Sequence, residues 1–259
     1  MGIVNCTDDS FYAETRTAKT ADAIKRALTL LDEGAHIIDL GAESSRPYAK
    51  PLDPACEARR LLPVLARLRR SAAFLSVDTW HASTAAMALS LGCSMINDIS
   101  AARWDPELLD VLVQWKPGYV LMHAGGRPGQ MQDHPVYRDV VDEELAFFTE
   151  QMNRLVGAGL PEERILLDPG IGFGKTLDHN LALLRAIPRF LSLGRPLLIG
   201  LSMKSLFQQL LGLELNERGL PTQVASALLL SRGVFWHRVH HVAATRTSLL
   251  LTQAMQTEL

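Results

Sequence analysis

The chain has 259 residues, 47% of them hydrophobic and 21% charged, with a formal net charge of −2. That is enough apolar material for one sizeable core, and about 250 residues is the usual length of a single α/β barrel. The near-neutral balance offers no basic surface for nucleic acid or for a membrane. No apolar run reaches the roughly 18 residues of a membrane span, no leader pattern opens the chain, and Cys6, Cys56 and Cys93 are scattered without a CxxC. A cytoplasmic protein with reduced thiols is expected.

Short apolar runs alternate with amphipathic stretches from end to end. Strands are predicted at residues 2–5, 36–40, 74–78, 95–98, 119–122, 165–168, 197–200 and 236–239. Between and after them, helices are predicted at 20–33, 54–69, 83–91, 106–114, 139–158, 179–186, 204–211 with 222–232, and 242–255. Asp53-Pro54 and Asp105-Pro106 read as N-cap followed by proline in the first helical position, and Gly34, Gly92 and Gly159 stand where helices close. Eight βα units in this length predict an α/β fold, a (β/α)8 TIM barrel forming a single domain over residues 1–259, rather than an open doubly wound sheet.

In such a barrel the active site lies at the C-terminal mouth. The predicted strand ends carry Asn5, Asp39 then Glu43, Asp78, Asn97, His123, Asp168, Ser202 with Lys204, and Arg238 with His240. Any one of these alone reads as a cap or turn residue; together they read as a site. The strand 165–168 is followed by Pro169-Gly170-Ile171-Gly172-Phe173-Gly174-Lys175. Its Gly-Lys-Thr ending suggests a phosphate loop, but that loop needs glycine where Pro169 stands. A buried carboxylate facing a flat, donor-rich heterocycle suits these residues better. In His237-Arg238-Val239-His240-His241, Arg238 and His240 share one strand face and read as an anion clamp. Zinc would want a third ligand and there is no HExxH, while a satisfied core histidine is the plain alternative for His240. The turn at His123 is given no role.

These residues together resemble the dihydropteroate synthase family. Residues 1–11 are similar to MGILNVTPDSF, 37–47 to IIDIGGESTRP, 168–175 to DPGFGFGK, 202–205 to SRKS and 238–240 to RVH. Ser76-Val77-Asp78-Thr79 and Ile96-Asn97-Asp98-Ile99 fall between them in the family's order. The resemblance implies condensation of 6-hydroxymethyl-7,8-dihydropterin pyrophosphate with 4-aminobenzoate, giving dihydropteroate and pyrophosphate. It implies catalytic roles for Asp78, Lys204 and Asp168, and a pterin pocket of Asp78, Asn97, Ile99, Met122, Asp168, Phe173 and Lys204. Pyrophosphate would meet Asn5, Ser45, Arg238 and His240, with Mg²⁺ riding on it and touching Asn5. The 4-aminobenzoate side would hold Ser45, Arg46, Gly172, Phe173, Ser202 and Lys204. The resemblance further implies a homodimer, two closing loops at 7–16 and 44–51, and small-molecule substrates only.

The pattern is broken at Cys6, Asp8, Tyr48, Met203 and His241, which stand for valine, proline, glycine, arginine and aspartate. These departures bear on rate and 4-aminobenzoate affinity more than on pterin binding. A pterin-dependent methyltransferase shares the barrel but needs no pyrophosphate clamp. A degenerate, non-enzymatic pterin-binding protein is the other reading, and a generic phosphate-binding barrel leaves Asp78, Asn97 and Asp168 unexplained together.

Overall fold

A computed structural model of the chain describes residues 1–6, 20–43, 52–71, 74–129 and 131–256. The expected loops at 7–16 and 44–51, and with them Ser45 and Arg46, lie outside the described residues.

Among the described residues, eight parallel strands close into a barrel. They are β1 (Gly2–Asn5), β2 (Ile37–Gly41), β3 (Phe74–Asp78), β4 (Met95–Asp98), β5 (Gly118–Met122), β6 (Ile165–Asp168), β7 (Leu198–Ile199) and β8 (Trp236–His237). The first six form one sheet in chain order and the last two another. Closure comes from bridges joining Leu167 to Leu197 and Gly2 to Val239, where the Ile3 N–H donates to the Val239 carbonyl at 3.0 Å. Each of β7 and β8 is two residues long, shorter than the predicted runs, because their outer residues bond through single bridges.

The helices are α1 (Thr20–Asp32), α2 (Pro54–Leu68), α3 (Ala82–Ser90), α4 (Glu107–Trp115), α5 (Val140–Ala158), α6 (Leu177–Arg185), α7 (Ile187–Leu191), α8 (Leu206–Leu211), α9 (Gly219–Leu230) and α10 (Val242–Gln256). Asp53 caps α2 as expected, its Oδ1 accepting the N–H groups of Ala55 and Cys56 at 3.0 and 3.2 Å. Asp105 does a different job. Its Oδ2 accepts from Ala82 at the start of α3 (2.7 Å) and its Oδ1 from Glu107 (3.2 Å), so it ties two helices together. Helix α6 starts earlier than predicted because Thr176 and His179 form a capping box. Helix α7, unpredicted, is five residues long, too short to show a period, and is held by buried Ile187 and Phe190.

Side chains alternate strictly along the strands. Val4, Ile38, Leu40, Val77, Ile96, Tyr119, Leu121, Leu167 and Ile199 belong to the large core between barrel and helices. Ile37, Met95, Val120, Leu166 and Leu198, with Met1 and Trp236, fill the barrel interior as a separate layer. That apolar layer makes the barrel a packed core and sets a floor beneath the mouth.

Candidate active site at the barrel mouth

The polar groups collect because of that alternation. Two residues beyond the floor positions Ile37, Met95, Val120, Leu166 and Trp236 stand Asp39, Asn97, Met122, Asp168 and Arg238, on the same inward face. Asp78 joins them through the β3–β4 register, which pairs it with Asn97.

Their bonding reaches across the barrel. Asp39, fully buried, accepts from the Asn97 amide at 3.0 Å and from the Arg238 Nε at 2.6 Å, both on Oδ2. Arg238 also donates from Nη2 to the Asp78 Oδ2 at 2.8 Å. The guanidinium expected to clamp an anion is thus braced by two carboxylates through its Nε and Nη2. Asp39, a strand-end residue with no role expected from the sequence, is the hub of this network. Its signal was its place two residues after inward-facing Ile37.

On the opposite side, Asp168 is 6% exposed, and its Oδ1 accepts the Gly170 N–H at 2.7 Å, which fixes the carboxylate's plane. Gly170 has φ +61°, and a Cβ there would lie 2.0 Å from the His123 carbonyl oxygen, so no other residue permits this turn. Lys204 donates to the Ile171 carbonyl, and its ammonium lies 4.4 Å from the Phe173 ring centroid. Gly172 sits against the Lys204 stem: a Cβ would be 3.5 Å from its Cδ. Ile99, Met122 and Ala124 form an apolar wall with Phe173, Trp80 and Trp104.

The charges are poised. Burial pushes the Asp78 carboxyl up to about 7, against the pull of Arg238 and helped by Asp39. Burial brings the Lys204 ammonium down to about 7, against the pull of Asp168. Burial also raises Asp168, with Lys204 and the Gly170 bond opposing. Three carboxylates, Asp39, Asp78 and Asp168, face two cations, Arg238 and Lys204. The pocket therefore favours a ligand that gains positive charge.

Ser202 and His240 act as a unit. The Ser202 Oγ accepts the His240 N–H at 3.2 Å and lies 2.9 Å from its Nδ1. Burial, then Arg238, bring the imidazole down to about 3, so it meets a ligand as a neutral group. Asn5 ends β1 beside Gly41, at the same mouth. Met203, the departure from the family's arginine, is buried at φ +62°, its N–H donating to the Thr222 hydroxyl at 3.3 Å.

Lys175, the lysine of the near-miss phosphate loop, points away from the mouth. Its fully buried ammonium meets Glu144 Oε1 at 3.1 Å and donates to the carbonyls of Gly170, Phe173 and His123 at 3.1 to 3.2 Å. It fastens the turn that carries Asp168 and Phe173. His123 sits in the same cluster, its Nδ1 3.0 Å from Glu144.

The fold and these side chains define a TIM-barrel enzyme whose mouth gathers three carboxylates, an arginine and a lysine beside an apolar wall. Comparison with known proteins narrows this. The family described as "Pterin binding enzyme" matches residues 1–240. A dihydropteroate synthase of Synechocystis is 39% identical over 94% of this chain and 85% of its own length. A Yersinia pestis dihydropteroate synthase solved with a sulfonamide drug superposes with a TM-score of 0.95 at 34% identity, covering 99% of this chain and 94% of that one. The Xanthomonas albilineans enzyme solved with 4-aminobenzoic acid gives 0.92 at 39% identity, covering 100% and 93%. The same enzyme in complex with 7,8-dihydropteroate gives 0.86 at 36%, covering 100% and 92%. The chain belongs to the dihydropteroate synthase family of pterin-binding enzymes.

Proposed function

We propose that this enzyme joins 6-hydroxymethyl-7,8-dihydropterin pyrophosphate to 4-aminobenzoate, releasing pyrophosphate and forming dihydropteroate. The observation that carries this reading is the excess of carboxylates over cations around one inward-facing slot, with an apolar wall of Ile99, Met122 and Phe173. Asp168 accepts the two parallel donors of the aminopyrimidinone edge. Asn97, anchored by Asp39, offers its carbonyl beside it. Asp78 accepts a ring N–H, and Lys204 meets the O4 and N5 side. The bond from the pterin methylene to the pyrophosphate oxygen breaks with its electron pair leaving on oxygen. The pterin carries the resulting positive charge, which Asp78 and Asp168 stabilise in a water-poor pocket. The arylamine nitrogen then forms the new bond to the methylene carbon and gives up a proton to solvent. The chain supplies position and field, and no nucleophile of its own.

Arg238 and neutral His240 receive the pyrophosphate. Asn5 provides an amide oxygen at the same place, a donor that suits Mg²⁺, which uses few protein oxygens and takes the rest from phosphate and water. Bound there, Mg²⁺ would neutralise charge on the leaving pyrophosphate. Phe173, Gly172, Ser202 and the Lys204 stem are assigned to the 4-aminobenzoate side, and the resemblance assigns Ser45 and Arg46, which lie outside the described residues, to the same side. The methyltransferase and non-enzymatic readings are not favoured by any contact at the mouth.

The working unit is proposed to be a homodimer in the cytoplasm. Leu220, Val224 and Leu228 repeat every four residues along α9, each at least half exposed, and Leu251 and Met255 are exposed on α10. The cysteines are free thiols, with burial pushing Cys6 and Cys93 up to about 12, which suits a reducing compartment. No helix among the described residues is long and apolar enough to cross a membrane. The direct experiment is turnover with the pterin pyrophosphate and 4-aminobenzoate, following pyrophosphate release. Absence of release with intact pterin binding would move the chain to the non-enzymatic reading.

A further inference from the structure

Beside the pterin slot, a small cavity of about 10 Å³ is lined by Glu43, Glu57, Thr79, Trp80 and Pro128 as well as Asp78 and Ile99. Glu57 is the unusual member. It lies on the buried stripe of α2 with Leu61, Val64, Leu65 and Leu68, and is 0% exposed. Its Oε2 accepts from the Thr79 hydroxyl at 2.8 Å and lies 3.0 Å from His81 Nδ1. Its Oε1, equally buried, has no hydrogen-bond partner among the described residues. A carboxylate oxygen in that position carries a large desolvation cost unless something cationic reaches it. Glu43, after β2, brings a second carboxylate whose Oε2 stands 4.0 Å from the same His81 Nδ1 and accepts from Trp80 Nε1 at 3.1 Å. One donor atom from each of Glu43, Glu57 and His81 lies within 4.8 Å of the others.

We infer that Glu43, Glu57 and His81 bind a divalent transition-metal cation of the zinc type, at a site distinct from the oxygen-rich place where Asn5 meets the pyrophosphate. The donor set decides the metal class. An imidazole nitrogen with two carboxylates suits zinc, whereas magnesium prefers oxygen and water throughout. The spacing agrees. Bonds of about 2.0–2.2 Å set tetrahedral ligand atoms about 3.3 Å apart. The His81–Glu57 separation already matches, and Glu43 closes the rest by moving less than its own side-chain reach. Two carboxylates and a neutral imidazole with a divalent cation sum to no charge, which removes the penalty on Glu57 Oε1. Thr79 and Trp80 then serve as outer partners that aim the two carboxylates. A solvent water would complete the shell, as it does at zinc sites with three protein ligands. The inference does not depend on the catalytic reading above.

The test uses the whole chain, stripped with a chelator and kept in excess Mg²⁺ to saturate oxygen-only sites. Zinc is titrated by calorimetry and cobalt by visible absorption. One zinc per chain, cobalt d–d bands and a raised melting temperature are expected. His81→Lys removes the nitrogen ligand but sets an ammonium against Glu57, so it should fold, lose the cobalt bands and weaken zinc by more than the 10–100-fold typical of losing an outer partner. Glu57→Gln should do the same, and Asn5→Ala should leave zinc binding unchanged. Zinc binding that survives His81→Lys, or a wild-type chain that takes up no zinc, overturns the inference; the second result would make His81 only a counter-ion to Glu57.

Discussion

Asp78 is held between two opposing demands. Its carboxylate is wanted for the ligand, yet burial makes the charge costly, and Arg238 is already shared with Asp39. The group titrates near 7 in the native protein and near 4 in the unfolded chain, so the cost of its charge is full above pH 7 and fades as pH falls toward 4. Asp78→Asn should therefore raise the melting temperature at pH 8, by about 2–4 °C for each kcal/mol recovered, and the gain should shrink steadily below pH 7. The same substitution should weaken a bare pterin by about ten- to hundredfold in calorimetry, since a charge-assisted bond contributes about 1.5–3 kcal/mol. A gain as large at pH 4.5 as at pH 8, or unchanged pterin affinity, would contradict this account. His240 answers to a different ligand group. Being neutral and backed by Ser202, it can donate a hydrogen bond to a phosphate oxygen. His240→Ala is expected to spare the bare pterin and weaken its pyrophosphate by roughly tenfold, for the loss of about 1.5 kcal/mol. Equal weakening of both ligands would misplace the clamp.

At the scale of elements, the turn after β6 joins sequence pattern to function. The motif from Asp168 to Lys175 was legible as a site because a carboxylate ends an apolar run and glycines follow it. What its lysine does was not legible, because the partner is Glu144, on the buried stripe of α5 with Val140, Val141, Phe148 and Leu155. A charge on an apolar stripe was the available signal, and Glu57 on α2 carries the same one. Neither acid is visible to periodicity, which registers the apolar majority of a face. Lys175→Met tests the fastening. It strands Glu144 in the core beside His123 and releases three carbonyls of the turn, so a loss of about 3–5 kcal/mol is expected in denaturant unfolding. The amides of residues 170–174 should also exchange faster in the native state, with pterin affinity falling although Lys175 touches no ligand. Stability lost without faster exchange in the turn would make the lysine a core ion pair and nothing more.

For the whole molecule, eight alternating βα units and the chain length are sufficient to predict the closed barrel, and the strand ends locate the polar residues at its mouth, with period two adding only the shared face of Arg238 and His240. Pairings made only by closure were out of reach: Arg238 meets Asp39 across 199 positions, and no local pattern reports that. Short β7 and β8 show the same limit, since their outer bonds are bridges to β6 and β1. The quaternary reading is likewise a property of the assembled surface. Leu220, Val224 and Leu228 sit at helical spacing on α9, 74%, 51% and 59% exposed, while Thr222, Ser226 and Leu229 face inward. An apolar outer face with two polar residues on the inner one reverses the usual pattern of a barrel helix, and a second copy of the chain would cover it. Val224→Glu with Leu228→Glu should leave the barrel folded, since neither side chain enters the core, and should convert a dimer to a monomer in sedimentation equilibrium. The pterin slot is built from one chain among the described residues, so pterin affinity of that monomer should stay within about threefold, a shift under 1 kcal/mol. A chain that is monomeric before the substitutions, or a dimer that survives them, would take the interface away from α9.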